Sequence, residues 1–157
     1  MPAAIIFANP DGSVVTTVFT HDDEALIQRD IVELQKPGVS GARLGAQVIR
    51  FAHHADCTAA LPPKAHRRFR SCWRWQGSAV GVDMPLARAQ RLGELRAQRD
   101  GLLADTDGPL LRDQEQGKDV SALLARRQAL RDLPVRMAAE LDALDTPDAL
   151  LRYEIPL

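Results

Sequence analysis

The chain reads as a mixed α+β protein. A small N-terminal unit of β-hairpin, helix and sheet is expected over residues 1–83, followed over residues 84–157 by an α-helical hairpin with an extended C-terminal tail. Three observations predict this. Before position 83, short apolar or β-branched runs are separated by clusters of Asn, Pro, Asp and Gly, the pattern of strands and turns. Beyond Pro85, leucines recur at helical spacing. The boundary near Asp83 is set by this change of period and not by a linker.

Ala3–Ala8 is a short Ile-containing apolar run, Asn9-Pro10-Asp11-Gly12 is turn chemistry, and Ser13–Phe19 is β-branched, so a β-hairpin is expected. His21, Asp22 and Asp23 then open a helix. Either aspartate suits the cap, and acidic residues favour a helix N-terminus. Leu26, Ile27, Ile31 and Leu34 share one face, and Pro37-Gly38 ends the helix. The histidine and acids at its start fix no ligand geometry and read as a solvated first turn. The glycine-rich stretch 37–45 lacks the G-K-[ST] that a phosphate-cradling loop requires and reads as a connector.

Gln47–Phe51 is the third expected strand. His53, His54, Cys57, His66 and Cys72 follow, without the paired spacing typical of zinc ligands, and read as polar loop residues. Lys64–Trp75, KAHRRFRSCWRW, is the one strongly basic stretch. Phe69 and Trp73 are four apart and face inward on a helical turn, which turns Arg67, Arg68 and Arg70 outward. An anchored turn with a basic face, open to an acidic protein partner, is favoured over a nucleic-acid platform. Trp75 opens a strand, Gln76–Ser78 turn, and Ala79–Val82 return as its hairpin partner.

Asp83 suits a helix cap and Pro85 a first turn. Leu86, Leu92, Leu95, Leu102 and Leu103 form the apolar stripe of the helix that follows, with Arg88, Arg91, Arg96, Arg99 and Asp100 on the solvated side. Asp105, Asp107, Gly108 and Pro109 interrupt the stripe, Leu110 and Leu111 restart it briefly, and Gly117 breaks it again. A second long helix is expected from Asp119, striped by Val120, Leu123, Leu124, Leu130 and Leu133 and closed by Pro134. Met137, Leu141 and Leu144 mark a short helix. Thr146-Pro147-Asp148 caps another, and Tyr153–Leu157 is an extended tail.

The 157 residues are 45% hydrophobic but only 4% aromatic, so the core is aliphatic. A formal charge of -1 and a pI near 6.4 argue against nucleic acid or an anionic membrane as the partner. No apolar run approaches the ~20 residues needed to span a bilayer, and the start lacks the basic region of a signal peptide. Two cysteines suit a reduced, cytoplasmic compartment. No nucleophile, base and acid stand in the context of a catalytic motif, so the chain reads as a non-enzyme needing no cofactor or metal.

LRAQRDGLLADTD followed by ALLARRQALRDLP resembles the C-terminal segment of phage tail assembly chaperones and tail-fibre assembly proteins, through Arg99, Leu102, Leu103, Thr106 and Asp107, then Arg127-Gln128-Ala129-Leu130-Arg131-Asp132-Leu133-Pro134. FRSCWRWQGSAVGVDMPLAR resembles a segment found upstream of that hairpin in small prophage tail-region proteins, through Phe69, Arg70, Trp73, Gly77, Val82, Asp83 and Met84. The resemblance implies a stoichiometric binder of another tail or tail-fibre protein during virion assembly, acting in the host bacterial cytoplasm. The alternatives are a small structural subunit retained in the mature tail tip or fibre, and a zinc- or nucleic-acid-binding regulator. A two-helix unit buries only one side of each helix. Leu92, Leu95, Leu123 and Leu130 are therefore the expected apolar contact residues for a client or for self-association, with Arg67 and Arg68 on the basic face.

Overall fold

The computed structural model describes residues 4–19 and 23–156, so His21 and Asp22 of the expected helix start lie outside the described residues. The fold is α+β, and the chain divides into two compact units, Met1–Asp83 and Met84–Leu157.

In the first unit, strands β1 (Ala4–Ala8), β2 (Val14–Val18) and β3 (Gln47–Phe51) form one antiparallel sheet in the order β2-β1-β3. Ile6 pairs with Thr16 on one side and Ile49 on the other. Every residue of β1 is buried, because its alternating side chains face two different cores. Ile5 and Phe7 pack with Phe19 and with Ile27 and Ile31 of α1 (Glu24–Leu34). Ala4 and Ile6 pack on the opposite face with Cys57, Ala60, Trp73 and Val80. An unbroken AIIFA run is what a strand covered on both faces requires.

Asn9, which reads from sequence as a turn residue, is buried and ties the hairpin to the glycine-rich loop. Its Nδ2 donates to Ser13 Oγ and to the Gly41 carbonyl, each at 3.0 Å, and its Oδ1 accepts from the Arg43 amide at 2.8 Å. The loop's polar groups are thereby turned inward, a structural use in place of a phosphate cradle. Gly12 takes φ +80° in the hairpin turn, a left-handed conformation that a side chain disfavours. Asp23 caps α1, accepting from the amides of Ala25 (2.9 Å) and Leu26 (3.2 Å).

Two local expectations change here. The residues after His53, expected as loop, form a short helix, α2 (His54–Ala59), because the apolar Cys57 has a sheet face to pack against. The second hairpin begins at Trp73 and not at Trp75: β4 (Trp73–Trp75) pairs with β5 (Val80–Val82), Trp73 lying opposite Val82. Between α2 and β4 the chain runs as 3-10 turns from Lys64 to Cys72, with a kink at Phe69 (φ -96°, ψ 26°).

The second unit consists of α3 (Met84–Ala104), α4 (Asp107–Glu115), α5 (Ser121–Asp142) and α6 (Pro147–Arg152). Arg127 near the start of α5 reaches Leu103 at the end of α3, and Arg88 near the start of α3 lies beside Leu141 near the end of α5, so the two long helices run antiparallel. Ala87 and Leu95 of α3, Leu130, Leu133, Met137 and Leu141 of α5, and Leu150 of α6 are all buried, and α3 packs against both α5 and α6. Thr146 caps α6, accepting from the Ala149 amide at 3.2 Å.

Three expectations are corrected in this unit. The polar connection contains a further helix, α4, where Leu110 and Leu111 restart the stripe. Pro134 does not close α5, which continues to Asp142. Leu130, Leu133, Met137 and Leu141 keep helical phase across the proline and are all buried, and this packing outweighs the missing amide donor. The arginine side of α3 is not uniformly solvated. Arg91 is 5% exposed and donates to the carbonyls of Leu150 (3.1 Å) and Tyr153, while Arg88 donates to the Leu144 carbonyl at 2.8 Å. These arginines hold the C-terminal segment, whose carbonyls have no helical partner, against α3. Among the described residues no helix is long and apolar enough to cross a membrane.

Candidate functional site

In the 3-10 geometry, three residues make one turn and side chains at i and i+3 eclipse. That period sorts the basic stretch into columns. His66, Phe69 and Cys72 form the buried column. Lys64, Arg67 and Arg70 form a second, which opens onto a recess of about 540 Å³. Arg68 lies in the third column, exposed and outside the recess. An α-helical period groups Arg67 with Arg68, and the observed period of three separates them. The signal that separates them is the three-residue repeat of basic residues at 64, 67 and 70.

The recess is walled by Thr16 of β2, by Thr58 and Ala59 of α2, by Leu61, Pro62 and Pro63, and by Trp73 of β4. Arg70 Nη2 donates to Thr16 Oγ1 at 3.3 Å, which fixes one guanidinium at the wall. Among the described residues, none of Lys64, Arg67 and Arg70 is ion-paired with a carboxylate. Trp73 is 4% exposed, and its buried indole Nε1 has no hydrogen-bond partner among the described residues. A buried donor left unpaired costs free energy, on the order of 1–3 kcal/mol.

The aromatic rings are packing elements. Phe69 is 0% exposed and Trp73 nearly so, so neither presents a face on which a base could stack. Cys57, His66 and Cys72 are buried and His53 and His54 exposed. Burial pushes the Cys57 thiol up, away from the reactive thiolate. Among the described residues no group of three or more His, Cys, Asp or Glu side chains is placed to hold a metal ion.

The helical unit distributes the expected contact leucines differently. Leu95 is 0% and Leu130 1% exposed, so both belong to the interior of the unit and offer no contact surface, a correction. The two-helix picture left one side of each helix open, but α6 and the tail fold back onto α3 and bury more of its surface. Leu92 is half-buried in a groove with Pro85, Arg88, Ala89 and Ala138, and Leu123 is half-buried. The exposed apolar side chains are instead Leu86, Leu111, Leu124 and Val135.

Four of the residues that carry the C-terminal resemblance, Leu103, Thr106, Asp107 and Arg127, meet in space. Arg127 Nη1 donates to Thr106 Oγ1, to Asp107 Oδ1 and, at 3.3 Å, to the Leu103 carbonyl, joining the end of α3 and the start of α4 to α5. Comparison of the chain with protein-family models, curated proteins and solved structures finds no match.

Proposed function

We propose that the chain is a phage tail-region protein that binds another tail or tail-fibre protein during virion assembly, as a stoichiometric chaperone and not as an enzyme. The observation that carries this reading is the tie of Arg127 to Thr106 and Asp107. These three residues stand 20 or 21 positions apart in two separately resembling segments, yet they form one hydrogen-bonded unit. Their contact supports reading the two segments as parts of one unit. The basic column of the first unit, not ion-paired among the described residues, supports the same reading, because it offers a partner protein a set of cationic donors.

The protein acts in the host cytoplasm, covering apolar or strand-edge surface of its client until the client trimerises or docks. Co-expression with a candidate tail-fibre protein from the same genome tests this. The expected result is a defined complex on affinity purification and a larger soluble yield of fibre protein. A fibre protein that is equally soluble alone, with no co-purification, contradicts it. Immunoblotting of purified particles separates transient chaperone from retained tail subunit: the chaperone is absent and the subunit present at fixed copy number.

A further inference from the structure

We infer that the recess beside Trp73 docks an acidic peptide segment of a partner protein, with a carboxylate held between Lys64, Arg67 and Arg70. The assignment rests on the chain being a protein-binding module, though not on which protein it binds.

Three features select this ligand. The first is charge. Three cations stand in one column of the 3-10 turns, none of them ion-paired among the described residues, in a chain whose formal net charge is only -1. A general polyanion binder carries an overall positive field, whereas here the positive charge is local. Guanidinium groups bind carboxylates through paired, charge-assisted hydrogen bonds. The second is the wall. Ala59, Leu61, Pro62 and Pro63 give the recess an apolar side that suits an aliphatic residue flanking the acid. At about 540 Å³ the recess is of a size that takes a few side chains. The third is Trp73, which lines the recess and whose buried indole N–H has no hydrogen-bond partner among the described residues. An indole donor beside the recess suits a ligand rich in acceptors, as a carboxylate peptide is. A single-stranded nucleic acid would need exposed ring faces, and Phe69 and Trp73 are buried.

The test titrates the full-length protein with a labelled, capped peptide of alternating Glu and Leu, with its Gln–Leu analogue and with a short single-stranded oligonucleotide. The Glu peptide is expected to bind saturably, to weaken as salt rises, and to shift the tryptophan emission, while the Gln analogue does not bind. Lys64→Glu and Arg67→Glu should each weaken binding by about tenfold or more, since a like charge then faces the ligand. Arg67→Gln should weaken it less. Arg68→Glu, in the neighbouring column, should change it by no more than about twofold, as expected of an exposed charge outside the contact. Lys64, Arg67 and Arg68 are exposed, and circular dichroism of each variant checks that the fold is kept. The assignment is overturned by no saturable binding of the Glu peptide, by equal losses in Arg67→Glu and Arg68→Glu, or by tighter binding of the oligonucleotide. A fibre-protein complex insensitive to Lys64→Glu and Arg67→Glu removes the recess and leaves the chaperone function standing. Peptide binding without a fibre-protein complex does the reverse.

Discussion

Arg91 occupies a position that its sequence neighbours mark as solvated, on the charged side of a leucine-striped helix. Its side chain instead caps the carbonyls of Leu150 and Tyr153 and meets Glu94 Oε2 at 3.1 Å. Removing a buried charge-assisted donor leaves those acceptors unpaired, so Arg91→Ala should destabilise the protein by about 3 kcal/mol. Arg67→Ala, at an exposed residue, should change stability by less than about 0.5 kcal/mol. Denaturant titration of the two variants checks the order. Periodicity could not distinguish these arginines, because it reports the side of a helix and not what later folds onto that side. Trp73 is buried as its sequence context suggests, but as the first residue of β4 and not on an α-helical turn with Phe69, and Trp73→Ala should cost about 3–5 kcal/mol. Tyr153 provides a pH test. Its hydroxyl donates to Glu140 Oε2 at 2.6 Å and is pushed up from 10.0 to about 12, first by burial and then by that bond to the Glu140 carboxylate. The folded state therefore keeps a proton that the unfolded state gives up. The contribution to stability is complete below pH 10.0 and is lost as pH rises towards about 12. Tyr153→Phe should flatten that part of the stability profile.

Among the elements, α5 separates two predictions about Pro134. If the chain stopped there, Pro134→Ala would be nearly neutral. In a helix continuous from Ser121 to Asp142, alanine restores an amide that can donate to the Leu130 carbonyl, and stability should rise by about 1–3 kcal/mol. Thermal unfolding of the variant decides. Local propensity reads the proline as a stop. The evidence against a stop is the stripe that stays in phase across it, from Leu130 and Leu133 to Met137 and Leu141. The same burial changes what a carboxylate at Leu95 would do. Leu95→Asp places an acid in the interior of the unit and should unfold it, not merely detach a partner. Leu124→Asp, at an exposed position, should leave the fold intact and report on any contact of that face. The 3-10 turns were the least legible element. KAHRRFRSC has no feature excluding an α-helix, and only the alternation of buried 66, 69 and 72 with basic 64, 67 and 70 reveals a period of three.

For the whole molecule, the α+β class and the three strands of the first sheet were legible, because β1 is uniformly apolar and its neighbours are bounded by turn residues. The change from strand to helix spacing at Asp83 coincides with the division between the two compact units. What escaped was closure: the C-terminal segment lies on the arginine side of α3, and Asn9 holds the glycine-rich loop. Both depend on side chains bonding main-chain groups far away in sequence, a pairing that no local pattern encodes. The proposed function requires a tail-region client, and the further inference seats that client on the basic recess of the first unit. Hydrogen exchange, read by mass spectrometry on the protein alone and with the fibre protein, tests it most directly. The account predicts slowed exchange over residues 58–73, with α5 unchanged. A mixture in which no segment is protected, or in which protection is confined to residues 84–156, would contradict it.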